Sequence, residues 1–214
     1  MSSLPARILD DYKVCRARAY YTAHPESFKP RRIPDMEDSE KRGKAFIGKY
    51  FIPRLEELSK EKTSHKILKL EDCNEENRTY YLACEGLDKE IACKPDMVAI
   101  ISFYDDLLRT LVFEVADTDT GTVLRRKHVM PRILLYTIAT YLYYGIPSVG
   151  FYVSLSPKSS PPSLVLVPKG GSSKRLIRVL EEVGKLTSVT DVPKPRGKPM
   201  CSHCVYTPIC KFAM

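Results

Sequence analysis

Cys201, Cys204 and Cys210 fall close together in the run CSHCVYTPIC. The first two have C-x-x-C spacing, which lets two thiolates grip one metal from a tight turn, and Cys210 is near enough to close on the same centre. Three thiolates are one short of the four that tetrahedral zinc or an iron–sulfur cluster takes. The candidates for the fourth ligand are His203, Cys15, Cys73, Cys84 and Cys93. His203 lies inside the C-x-x-C turn, which would point it away. Cys73, Cys84 and Cys93 fall among strands, where a small buried cysteine is the ordinary expectation. Cys15 stands alone in the basic, aromatic run YKVCRARAYY. With Cys15 the metal would close a very long loop and clip two distant segments together. With His203 the tail alone would form a zinc knuckle. Spacing does not choose between zinc and iron–sulfur.

A second set of residues is acidic. Asp96 in CKPDMVAI and Glu114 in LVFEVAD are acids inside apolar runs. A charge there needs a cation, a polar partner or a solvent-facing side. On neighbouring strands the two would hold Mg²⁺ or Mn²⁺, which prefer oxygen ligands. Such an ion polarises a scissile phosphate and activates water. The plainer alternative is that one or both acids face solvent at a sheet edge.

The elements that must position these groups follow from periodicity. RILDDYKVCRARAYYTAHPESFKPRR begins helix-like and ends in a Pro- and Arg-rich loop. In EKRGKAFIGKYFIPRLEELSKE the apolar residues Phe46, Ile47, Phe51, Leu55 and Leu58 recur at helical spacing, with Pro53 as a kink or boundary. TYYLACE, IACKPDMVAII and RTLVFEVAD are rich in branched and aromatic residues and read as three strands, placing Asp96 and Glu114 within strands. A helix follows from about His128 to Tyr144, with Pro131 suited to its first turn. SVGFYVSL and SLVLVP read as two further strands. SSKRLIRVLEEVGKL is an amphipathic helix with Leu176, Val179, Leu180 and Val183 on its inner face. The order is that of a mixed α/β domain, and DVPKPRGKP links it to the terminal cysteines.

Composition narrows the class. A chain of 214 residues with 43% hydrophobic content supports one domain with a real core. The net charge of +8 favours a polyanionic partner, and nucleic acid before membrane, because no apolar run approaches the ~20 residues that span a bilayer. MSSLPARILDDYK lacks a long apolar region and carries acids early, which argues against a secretory leader. The expectation is a cytoplasmic protein whose cysteines stay reduced.

Taken together, Cys15 with CRARAYY, the terminal CSHCVYTPIC, KPDMVAI, VFEVAD and the helix PRILLYTIATY resemble the RecB-like nucleases of the PD-(D/E)XK superfamily, specifically the CRISPR-associated Cas-four exonucleases. The resemblance spans nearly the whole chain. It implies a mixed sheet flanked by helices, with an iron–sulfur clasp, commonly 4Fe–4S, held by Cys15, Cys201, Cys204 and Cys210. Asp96, Glu114 and the main-chain carbonyl of Val115 would hold Mg²⁺ or Mn²⁺ for DNA exonuclease chemistry. The implied organisation is one domain over 1–214: an N-terminal segment 1–35, an α/β core 40–190 and a clasp 191–214. The implied partners are DNA, single-stranded or with single-stranded ends, and CRISPR integrase proteins, in the handling of new spacer ends during CRISPR adaptation.

The departures are chemical. The family's E-x-K lysine falls on Ala116, which shares a strand face with Glu114 but cannot position water or stabilise a phosphorane. The Gln-x-x-x-Tyr pair falls on Arg132 and Tyr136, and an expected histidine falls near Phe46 or Ile47. Either cleavage is weakened or lost, or a relocated cation, Arg132 before Lys127, stands in for the lysine. Arginine would stabilise charge there but is a poor proton donor or acceptor. For DNA contact the candidates are Arg16, Arg18, Arg31, Arg32, Arg125, Arg126 and Lys127, with Lys194, Arg196 and Lys198 near the tail. Tyr20, Tyr21 and Phe28 would offer stacking surfaces unless they belong to the core.

Overall fold

The structure is a computed structural model that describes residues 3–31, 41, 45–60, 65–85, 87–103, 107–116, 129–154, 163–166, 172–195, 201 and 204–213. A short strand, β1 (Leu4–Pro5), leads into α1 (Ile8–Val14) and α2 (Arg16–Ala23). Cys15 divides these two helices with an extended backbone, φ −160° and ψ 123°. A helical stretch follows with one π turn over Ile47–Phe51, where the Ile52 N–H donates to the Ile47 carbonyl, before α3 (Ile52–Lys60). Pro53 has no N–H to continue the ladder, so the break expected there takes the form of a widened turn just ahead of it.

The strands β2 (His65–Asp72), β5 (Met97–Phe103), β6 (Leu108–Ala116), β7 (Ser148–Ser154) and β8 (Ser163–Leu166) form one sheet in the order β2-β5-β6-β7-β8. Only β6 and β7 are parallel in it, and the helix α4 (Val129–Tyr144) makes their crossover. A smaller mixed sheet, β1-β4-β3, uses β3 (Tyr80–Leu82) and β4 (Ile91–Cys93). The last long helix, α5 (Ser172–Ser188), buries Leu176, Val179 and Val183 as its periodicity requires.

Both faces of the larger sheet are covered, which is why its central strands read as unbroken apolar runs. Met97, Ala99, Ile101, Phe113 and Val153 face one cluster with Phe46, Ile47 and Phe51 of the π-turn helix. Val98 and Val112 face the opposite side, in the core shared with α1, α4 and α5. Glu114, two residues beyond Val112, falls on that α4 side. Gly150 lets α4 lie close, since a Cβ there would meet Ile133 Cγ2 at 2.6 Å and Thr137 Cγ2 at 2.9 Å.

Two expectations need correction. IACKPDMVAII is not one strand: it divides at Lys94–Asp96 into β4 of the small sheet and β5 of the large one. Asp96 therefore sits in the link just ahead of β5, not within a strand, because Pro95 cannot donate a ladder hydrogen bond. The strand β2 was also hidden. Its register shifts between Ile67 and Lys69 leave Leu68 half exposed, and its lysines obscure the alternation. No helix among the described residues is long and apolar enough to cross a membrane.

Candidate functional site

Asp96 and Glu114 are brought together at one end of the large sheet. The Asp96 N–H donates to the Phe113 carbonyl at 3.0 Å, and the Cys73 N–H donates to the Asp96 carbonyl at 3.1 Å. Its carboxylate is held on both oxygens. Oδ2 accepts the Val115 N–H at 2.7 Å, and Oδ1 accepts the Asn74 side-chain amide at 2.9 Å. Asn74 is aimed there by a turn in which Asp72 Oδ1 accepts the N–H groups of Asn74 and Glu75 at 2.9 and 3.0 Å.

The cation facing this pair comes from the first turn of α4. Arg132 Nη2 lies 2.8 Å from Glu114 Oε1, and its Nε lies 3.1 Å from Asp10 Oδ2 of α1. The side chains of Arg132, Asp10 and Glu114 keep only 19%, 17% and 11% exposure, so the three ionisable groups meet almost without water. Burial pushes the Glu114 carboxyl up to about 8, against the downward pull of Arg132, with Asp96 and Asp10 adding repulsion. Burial likewise pushes Asp10 up to about 6 against the same guanidinium. Asp96 is raised too, by burial first, with the Val115 N–H, the Asn74 amide and Arg132 opposing it. Three acids share one positive charge. Tyr136, one turn beyond Arg132, is buried beside them, and burial followed by the Glu114 charge keeps its hydroxyl protonated.

This arrangement does not fit a divalent ion at Asp96 and Glu114. A +1 and a +2 charge about 4 Å apart repel by roughly 8 kcal/mol at an effective dielectric constant of about 20. A guanidinium already against Glu114 therefore opposes a metal at the same carboxylate. Among the described residues, no three His, Cys, Asp or Glu side chains are placed to hold a metal ion. Arg132 does reach the acids, but with Nε and Nη2 both facing carboxylates it is not turned outward toward a phosphate.

The cysteines form a separate site. Cys15, Cys201, Cys204 and Cys210 line one small cleft, each partly exposed, although not within common reach of one ion as they stand. Burial raises the Cys15 thiol, opposed by the Arg18 and Ala17 backbone N–H groups and reinforced by Cys204 and Cys210. The donor chemistry, four cysteines lining one cleft, suits an iron–sulfur cluster or zinc. The tail is built to present them. Thr207 Oγ1 donates to the carbonyls of Cys201 and Cys204, and the Cys204 N–H donates to the Cys201 carbonyl at 3.0 Å. Cys73 and Cys93 are fully buried elsewhere, and Cys84 packs against the main core, as small apolar residues do. His203 lies outside the described residues.

The tail is also held by packing and hydrogen bonds of its own. Tyr206 is buried and packs on Tyr21, with ring centroids 5.3 Å apart, and its hydroxyl lies 3.2 Å from Thr22 Oγ1. The Tyr21 hydroxyl donates to the Ile209 carbonyl at 3.4 Å, and the Arg31 N–H donates to the Val205 carbonyl at 2.8 Å. Tyr20 and Tyr21 are thus core residues of this joint, with Phe28 against them, and offer no free stacking face. Of the basic candidates, Arg16 pairs with Glu182 at 3.2 Å and Arg18 with Asp11 at 2.5 Å. Arg32, Arg125, Arg126, Lys127, Arg196 and Lys198 lie outside the described residues.

Sequence reading did not find Asp10, Asn74 or Glu71. Asp10 carried one signal, an acid beside the apolar Ile8 and Leu9 in a helix, but its partner was far away in the chain. Glu71 is fully buried and accepts from Tyr80 and Tyr144 at 2.5 Å each, with Lys69 at 2.7 Å. These contacts fasten β2, β3 and the end of α4 to one another.

No family model matches the chain, and no curated protein matches it. Among solved structures it is similar to one described as "Crystal structure of SSO0001". The TM-score is 0.53 and the identity 15%, over 99% of this chain and 87% of that one. The likeness extends over the whole mixed α/β fold, and at that identity it speaks of fold alone.

Proposed function

We propose that this chain is a Cas-four-like, iron–sulfur DNA-handling protein in which metal-dependent cleavage has been lost. The observation that carries the reading is the cleft that gathers Cys15 with Cys201, Cys204 and Cys210 from distant parts of the chain. These four would hold the cluster, and its role there would be structural, linking the N-terminal helices to the tail. The reading is supported by the nearness of Asp96 to Glu114, since Asp96 bonds to Phe113 and Val115 on either side of it. Loss of cleavage is favoured over relocation because Arg132 is spent on Glu114 and Asp10. The excess of basic residues supports binding to the phosphate backbone, and the resemblance supplies the setting, the handling of spacer DNA ends beside CRISPR integrase proteins.

Purification without oxygen, iron analysis and titration with labelled single-stranded DNA test this directly. The expected protein is brown, absorbs broadly in the visible blue, and binds DNA with an affinity that falls steeply with salt. Colourless, iron-free protein removes the cluster, and the absence of salt-sensitive binding removes the DNA partner. Incubation with Mn²⁺ should leave the DNA intact. Cleavage that Asp96→Ala abolishes would restore the trimming activity instead.

A further inference from the structure

We propose that the Arg132 guanidinium is the resident cation of the acidic pocket, standing in the place of a divalent metal ion, and that its removal opens the pocket to Mn²⁺. This rests on reading Asp96 and Glu114 as the acidic pair. Its test is separable, because metal binding is read without DNA and without the cluster.

Two acids, Asp10 from α1 and Glu114 on β6, lie in ion-pair reach of one cation, and a third, Asp96 in the link ahead of β5, stands beside Glu114's strand. Arg132 presents Nη2 to Glu114 at 2.8 Å and Nε to Asp10 at 3.1 Å. Asp96 feels the same charge and is held in place by the Val115 N–H and the Asn74 amide. The side chains in ion-pair reach of the guanidinium are acids, from α1 and from β6. Asp10 Oδ1 and Arg132 Nε are both buried without a hydrogen-bond partner, so one guanidinium does not satisfy the pocket's oxygens even though it lies in ion-pair reach of two carboxylates. A site with surplus buried carboxylate and a single +1 charge has the donor chemistry for Mn²⁺ once that charge is withdrawn. Asp10 has a second consequence. It ties the occupied pocket to α1, the helix that ends at Cys15, so the cation and the clasp brace the same element.

The experiment measures Mn²⁺ binding to the full chain at pH 8, by calorimetry and by loss of the free-ion electron paramagnetic resonance signal. The wild type should take no Mn²⁺ at Asp96. Arg132→Gln should take one ion per chain at least tenfold more tightly, and adding Asp96→Asn should abolish the gain. Because Arg132→Gln leaves acids buried without a cation, a double variant with Asp10→Asn removes one charge of each sign and should show the same gain. Wild-type binding that Asp96→Asn abolishes overturns the proposal, as does a folded double variant that binds no Mn²⁺. A double variant that fails to fold also overturns it, since the guanidinium would then belong to the fold and not be an exchangeable cation.

Discussion

Glu114 and Asp10 hold protons in the folded chain at pH values where the unfolded chain has released them. Burial lifts Asp10 from 3.8 to about 6 and Glu114 from 4.5 to about 8. Between those limits the native state binds more protons, so stability falls as pH rises. Asp10's share is lost by about pH 6, and Glu114's continues to be lost up to about pH 8. The thermal midpoint should therefore decline from pH 6 to pH 8, and Glu114→Gln should flatten that decline. An equal slope in the variant would mean that the Glu114 carboxyl is not what titrates. Glu71 runs the other way. Burial raises it, but Lys69, Tyr144 and Tyr80 together bring it below the usual carboxylate range, so its stabilisation fades only as pH falls.

At the scale of elements, the site depends on how closely α4 approaches the sheet, because its first turn must bring Arg132 to Glu114. Gly150 on β7 permits that approach, with Ile133 Cγ2 and Thr137 Cγ2 in the space of its missing Cβ. Gly150→Ala should overpack this contact and destabilise the chain by about 1–3 kcal/mol in urea unfolding. A neutral result would mean that α4 can lift without cost. Most elements were legible from local pattern, since the branched and aromatic run of β6 and the inner face of α5 are short-range features. The strand β2 was not, because a register irregularity breaks its alternation and because Glu71, a buried acid, reads as surface until Tyr80 and Tyr144 are seen against it. The division of β4 from β5 was equally hidden: Pro95 marks the link, but only sheet pairing shows that its two sides belong to different sheets.

At the scale of the molecule, the tail is held to the N-terminal helices by aromatic packing and hydrogen bonds, apart from any cluster that the cysteines would hold. Tyr206→Ala should cost about 3 kcal/mol or more, as for a buried aromatic truncated in a core, and should expose the tail to limited proteolysis in iron-free protein. If only a cluster held the tail, the variant would be as stable as the parent with or without iron.

The sequence by itself determined the mixed α/β class, the run of helices and central strands, the clustering of cysteines and the presence of two acids in apolar surroundings. Those are properties of residue type and short-range spacing. Tertiary structure alone decided which distant groups meet. It placed Cys15 in the cleft with Cys204 and Cys210, moved Asp96 out of its strand into a link, and put Tyr20 and Tyr21 in a buried joint. It also set Arg132 between Glu114 and Asp10, because the angle of a helix on a sheet, not the spacing of residues along either, determines whether a buried cation and a buried acid share one pocket.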